Sequence, residues 1–351
     1  MKKTYWVIIL IFFVTFMLPE KAASAQQDST RRSRPDIDPE LLPPYTLPVW
    51  VHDPVMIKEK DTYYLYTTGM GISFQTSTDM KNWKKGGCIF TTEQLPAWHK
   101  TYIPNQNGHL WAPDIHYHDG KYHLYYSVSA WMDFNSSIGY ATNSTLDPSD
   151  STYKWVDEGC VISYKNGGEG VNVIDPNLFI DQDGKAWLLY GSYKAGLRLV
   201  ELDRNTGKLK DEVNPDLTVL TSSLGEGVYL LYSKGYYYIF ASRGRCCSGL
   251  ESTYQVVMGR SKTIKGPYST KEGKSWVDNN YTLFMEGDYE QPGKGHNGFI
   301  TENGITSIVY HAYTRAAEGA SLLVIRPVYE DEDGWPTLLN TGDYFTVTEF
   351  R

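Results

Sequence analysis

The stretch NVIDPNLFIDQDGKAWLLYGSY, Asn172 to Tyr193, decides the fold. A carboxylate fixed by a following proline, Asp175-Pro176, leads into the apolar run Leu178, Phe179, Ile180. The polar turn DQDG follows, and a second apolar run ends at Tyr190. Two short apolar runs on either side of Asp/Gly punctuation read as a β-hairpin. The same template occurs four more times. Asp53 opens DPVMIKEKDTYYLYTTG, Asp114 opens DIHYHDGKYHLYYSVS, Glu226 opens EGVYLLYSKGYYYIFASRG and His296 opens HNGFITENGITSIVYHAY. In every copy an aromatic lies 12 to 15 positions beyond the leader: Tyr66, Tyr126, Tyr190, Phe240 and Tyr310. Successive leaders are 61, 61, 51 and 70 positions apart, so the chain is a five-fold repeat.

Each hairpin runs on into further strand signals, such as Ile72 to Gly87 in the first copy and Gly196 to Lys210 in the third. In the last copy they lie between Ser321 and Leu339. No amphipathic helix longer than two turns is evident. A lone four-stranded sheet cannot bury both faces, whereas five arranged about an axis can. The expectation is an all-β, single-domain, five-bladed β-propeller over residues 46–351. A β-sandwich would leave five matched leaders without a reason.

The N-terminus is different in kind. Lys2 and Lys3 precede the apolar run Tyr5 to Leu18, and Ala23-Ser24-Ala25 offers small residues for cleavage. Such a run is short for a bilayer span, so residues 1–25 read as a secretory signal removed near Ala25. Residues 26–45 read as a polar, flexible lead-in. The protein is thus expected outside the cytoplasm, in a periplasm or secreted, with no membrane span once the signal is gone.

The whole chain carries a net charge of −8, and the signal removes mainly lysines, so the remainder is more acidic still. That excludes nucleic acid and anionic membranes as natural partners. The 28 Tyr and 10 Trp suit strand cores and equally suit sugar-binding faces. Cys88, Cys160, Cys246 and Cys247 do not form a disulfide framework, and the adjacent pair is open to several readings: two thiols, a vicinal bridge, or separate partners.

In a propeller the first strand of each blade lines the central channel, so the five leaders should meet at one mouth. They are four carboxylates and an imidazole: Asp53, Asp114, Asp175, Glu226 and His296. Apolar residues would be easier to bury there. Crowded acids push their pKa values apart, which prepares general acid/base chemistry. Taken singly, an Asp before Pro is as readily a turn opener.

These segments resemble glycoside hydrolase family 43, and in particular its arabinanases, over nearly the whole chain from Val51 to about Leu339. VHDP at Val51–Pro54 is similar to the segment with the family's catalytic base, which implies that role for Asp53. NVIDPN implies for Asp175 the part of third acid, orienting the general acid and adjusting its pKa. GEGVYL at Gly225–Leu230 implies Glu226 as the general acid, although Gly227-Val228 stands where the family often has Ala-Pro. WAPD at Trp111–Asp114 and GHN at Gly295–Asn297 match two further signatures, and RCCSGLESTYQVVMGRS (Arg245 to Ser261) is similar to the arabinan-cleaving branch.

The resemblance implies inverting hydrolysis of α-1,5-linked L-arabinofuranosyl units in arabinan, endo-acting. Base and acid would stand roughly 6.5–9.5 Å apart to admit a water. An exo-acting arabinofuranosidase or β-xylosidase of the same family is the alternative, and a non-catalytic sugar-binding propeller is a remote one. Trp111 and Trp131 are candidates for stacking on sugar rings, Asn172 and Ser192 for holding substrate hydroxyls, and Asp114 for ordering its turn. His52 and His311 read as structural. The family likeness also implies a structural calcium near His296, with mostly water ligands, and no cofactor for the chemistry. A monomer acting on arabinan or arabino-oligosaccharide is expected.

Overall fold

A computed structural model describes residues 37–131, 133, 135–164, 172–339, 348 and 349. The expected signal and most of the lead-in lie outside the described residues. Five antiparallel sheets follow one another along the chain as the blades of a propeller, here blades I to V.

The innermost strands are Val55–Glu59, His109–His118, Asn177–Ile180, Glu226–Ser233 and Gly293–Glu302. Each packs against its neighbours, and the fifth returns to the first, so the ring is closed. Each second strand is joined to the first by a tight turn. In blades II, IV and V both central residues have positive φ: Asp119-Gly120, Lys234-Gly235 and Asn303-Gly304. That backbone matches the twist of a two-residue hairpin, which is why Gly stands second in each.

Strand alternation explains the core. On the second strand of blade I, Tyr64 and Tyr66 face blade II while Tyr63 and Leu65 face blade V. On that of blade IV, Ile239 faces blade III while Tyr238 and Phe240 face blade V. Every blade thus feeds two of five interblade cores, one on each face. The five repeated aromatics, Tyr66, Tyr126, Tyr190, Phe240 and Tyr310, are all fully buried there. Burying such a ring stabilises by about 1.5–3 kcal/mol.

One expectation is corrected. The outermost strand of blade V is not drawn from the C-terminal segment but is Thr46–Trp50, which pairs with Ala320–Pro327. The segment after Val328 instead contributes Tyr329–Glu330 and Pro336–Thr337 to a separate small sheet. The physical gain is closure: a strand from the start of the chain completes the last blade and ties the ring shut.

Candidate active site

The same local device stands at or near the start of each innermost strand. A residue in the left-handed region marks it: Asp53 (φ 50°), Ala112 (44°), Asp175 (56°), Gly227 (58°) and His296 (51°). The backbone N–H of each is accepted by a side chain. Asp53 donates to His311 Nδ1 (3.2 Å), Ala112 to Thr68 Oγ1 (2.8 Å) and Asp175 to Ser127 Oγ (2.8 Å). Gly227 donates to Asp175 Oδ2 (3.0 Å) and His296 to Ser242 Oγ (2.7 Å). In every case the acceptor belongs to the preceding blade. In blade III the second-strand position that carries the acceptor elsewhere is Gly191, so the carboxylate of Asp175 takes the task. Left-handed backbone at a non-glycine residue is strained and needs such support.

This repeat corrects the expectation that the five leaders are equivalent. Asp53, Asp175 and His296 share one position. Glu226 stands one residue earlier, level with His52 and Trp111, and Asp114 two residues later. The strands are bulged between Trp111 and Asp114, Glu226 and Tyr229, and Gly295 and Gly298, which shifts side chains between faces. From the turn position and the one before it, His52, Asp53, Trp111, Ile174, Asp175, Glu226 and His296 line a common cleft, whereas Asp114 lies deeper.

That cleft has a volume of ≈ 760 Å³, and its wall brings together Asp53, Asp175, Glu226 and His296, with Trp111 and Trp131 beside them. Trp131 is 74% exposed at the rim. Asn172 and Ser192 do not line it; Asn172 Nδ2 donates to Ser192 Oγ at 3.1 Å. Asp114 is buried beneath, where its Oδ2 accepts from Leu178 N (2.6 Å), Asn177 Nδ2 (3.1 Å) and His116 Nε2 (3.0 Å), joining blades II and III.

Sequence reasoning set His52 and His311 aside, yet both contact Asp53. His52 Nδ1 is 2.9 Å from Asp53 Oδ2, and His296 Nδ1 is 3.1 Å from Oδ1. Thr68 Oγ1 donates to Oδ2 at 2.5 Å. His311 Nδ1 already accepts the Asp53 amide, so its proton sits on Nε2 and it forms no ion pair. Cys246 and Cys247 are free thiols on the cleft wall, and the rim adds Asn105, Asn107 and His109. The signal for His52 was adjacency to Asp53; the others lie far away in the chain.

The electrostatics separate the acids. Burial pushes the Asp53 carboxyl up, but the imidazoles of His296 and His52 outweigh it and hold Asp53 well below the usual range. Burial likewise opposes charge on His52, but Asp53 overrides it and raises the imidazole to about 10. Asp175 goes the other way: burial first, then repulsion from Glu226 and Asp53, push it well up. Burial raises Glu226 to about 7 against the hydrogen bond from Tyr254 Oη at 2.9 Å. At neutral pH Asp53 is charged and the Asp175–Glu226 pair holds a proton, which belongs to the pair rather than to Glu226 alone.

Beneath the cleft, a small cavity is lined by Asp114, Asp175, His296 and Asn297. Asp114 Oδ1 and Asn297 Oδ1 are buried there with no hydrogen-bond partner among the described residues. Oxygen donors left over in this way suit a hard cation completed by water.

A propeller with one charged and one protonated acid facing a common cleft is built for acid/base hydrolysis. Residues 45–336 match the model of glycosyl hydrolases family 43, and the chain belongs to that family. It is 39% identical over 82% of its length to an extracellular exo-α-(1→5)-L-arabinofuranosidase of Cellvibrio japonicus, covering 85% of that protein. An extracellular endo-α-(1→5)-L-arabinanase of Bacillus subtilis is 38% identical, with 82% and 87% covered. The structure of a Cellvibrio cellulosa α-L-arabinanase complexed with arabinohexaose superposes with a TM-score of 0.79 at 37% identity, over 83% of this chain and 96% of that one.

Proposed function

We propose that this protein hydrolyses the α-1,5-linked L-arabinofuranosyl backbone of arabinan with inversion, cutting within the chain, as an exported enzyme. The observation that carries this reading is the division of charge in one cleft between ionised Asp53 and the proton-holding Asp175–Glu226 pair. In this reading Asp53 takes a proton from the attacking water, and its contacts with His52, His296 and Thr68 fix its lone pairs. Glu226 gives its proton to the leaving sugar oxygen. Asp175 shares that proton and, through the Gly227 amide, holds the strand that carries Glu226.

Trp111, one residue before its turn like Glu226, offers a ring to the sugar, and exposed Trp131 extends that platform along the cleft. Asn172 and Ser192 act from behind the wall rather than on substrate. A calcium ion would be held by Asp114, Asn297 and His296 in the lower cavity, where its charge offsets that of the buried acids. Export fits the names of the two extracellular relatives, and among the described residues no helix is long and apolar enough to cross a membrane.

The relatives include both an exo- and an endo-acting enzyme at nearly equal identity, so product analysis is the decisive test. Linear arabinan digested with the wild type should give mixed oligosaccharides, with none from Glu226→Gln. One small product alone would make the enzyme exo-acting. No cleavage of arabinan, with xylan or aryl glycosides cleaved instead, would overturn the substrate.

A further inference from the structure

His52 shares a cluster with Cys246 and Cys247, two thiols that acid/base hydrolysis does not use. Cys246 Sγ and Cys247 Sγ each lie 3.8 Å from Nε2 of His52, and the three donor atoms are all within 4.8 Å of one another. Tetrahedral zinc, with Zn–S of about 2.3 Å and Zn–N of about 2.0–2.1 Å, sets its sulfur and nitrogen ligands about 3.6 Å apart. The observed spacing is therefore close to a coordination polyhedron before any ion arrives.

The second observation is what lies behind the imidazole. His52 Nδ1 is 2.9 Å from Asp53 Oδ2, which leaves Nε2 as the outward nitrogen. A carboxylate behind a ligating histidine fixes its tautomer and strengthens it as a donor. Tyr313 Oη stands 2.9 Å from the same Nε2 and 3.4 Å from Cys246 Sγ, and accepts the Cys247 amide at 2.8 Å, so the loop is held in register with the ring. All three donors line the cleft, so a cation can enter and keep a fourth position for water or a sugar oxygen.

We propose that His52, Cys246 and Cys247 form a binding site for one soft or borderline cation, of the Zn²⁺, Cd²⁺ or Cu⁺ type, whose occupancy shuts off hydrolysis. Two thiolates and an imidazole select such ions and reject calcium and magnesium. The site is distinct from the oxygen-lined cavity beneath the cleft. Binding releases the thiol protons and the Nε2 proton of the His52 imidazolium, exchanges the Nε2 contact with Tyr313 Oη for the ion, and leaves the Nδ1–H on Asp53. The ion's charge then weakens Asp53 as a base and its bulk narrows the sugar path. This inhibitory half rests on the role proposed for Asp53; the binding half does not.

The test uses the full mature protein with a phosphine reductant present, so that both thiols stay reduced. Titration with Cd²⁺ is followed by the ultraviolet charge-transfer band of cadmium–thiolate bonds, and arabinan hydrolysis is measured on the same samples. The expected result is a band saturating at one equivalent, in step with loss of at least nine-tenths of activity, both reversed by a chelator. Cys247→Ser, at the more exposed thiol, should weaken binding at least tenfold, and the double Cys246→Ser/Cys247→Ser variant should abolish the band. No band at one equivalent in wild type, or a band that survives in either serine variant at unchanged affinity, overturns the site. A saturating band with activity intact overturns the inhibition and leaves the site standing. A band in a protein inactive on every glycan tested counts against the role of Asp53 and not against the site.

Discussion

The backbone amide of Gly227 donates to Oδ2 of Asp175 at 3.0 Å, so the residue after Glu226 is tied to the acid of the neighbouring blade. Gly227 holds φ at 58°, a conformation available to glycine without strain. Alanine at this position would offer the same amide, so what the departure from Ala-Pro changes is the strain, which glycine avoids. Asp175→Asn keeps an acceptor for this amide, whereas Asp175→Ala leaves a buried N–H unpaired, at about 1–3 kcal/mol. Both variants should lose activity at least tenfold, but only the alanine should melt lower. Equal melting temperatures would refute this division.

Glu226→Gln and Asp53→Asn should each lower kcat by roughly 10²–10⁴, the usual span of a general acid or base. Their stabilities should diverge. Glu226 is raised from 4.5 to about 7, so between those values the unfolded chain loses a proton that the folded chain keeps, and stability falls as pH rises. Glu226→Gln is free of that penalty and should be the more stable protein at pH 8, by up to about 3 kcal/mol. At pH 4 the difference should vanish. Denaturant melts at the two pH values check both statements.

The pH profile of kcat/KM should have its alkaline limb near 7, where the Asp175–Glu226 pair gives up its proton. Its acid limb should lie below the ordinary carboxylate range, because Asp53 is held down by His52 and His296. Tyr254→Phe removes a hydrogen bond that favours charged Glu226 and should move the alkaline limb upward. An alkaline limb that does not move would show that another group sets it.

Thr68 donates to Asp53 Oδ2 and accepts from Ala112 N, joining blades I and II at the base. Thr68→Val keeps the shape and loses both bonds. It should cost about 1–3 kcal/mol of stability and shift the acid limb upward, since Asp53 loses a donor. Thermal melting and a pH profile of the same variant test the two effects separately.

Much of this molecule is written in local patterns. The five hairpins are readable because each aromatic, from Tyr66 to Tyr310, recurs 12 to 15 positions beyond its leader, and because Asp119-Gly120, Lys234-Gly235 and Asn303-Gly304 punctuate the turns. The number of blades follows from counting those patterns. Asp53 and Asp175 stand out as acids locked before proline at the head of a strand.

What the pattern misses is register and reach. A bulge of one residue moves a side chain to another face, so Asp114 drops beneath the cleft while Glu226 remains in it, although both look alike as leaders. The closing strand Thr46–Trp50 joins a sheet some 270 positions further on, opposite Ala320–Pro327. His311 and the Cys246-Cys247 pair reach Asp53 and His52 only because blades IV and V close against blade I. Periodicity along the chain determined the repeat, the blades and the strand heads, since these depend on near neighbours. Closure of the ring decided which heads share a cleft, which acid keeps a proton and which thiols face an imidazole, because those depend on distances between residues that no local pattern records.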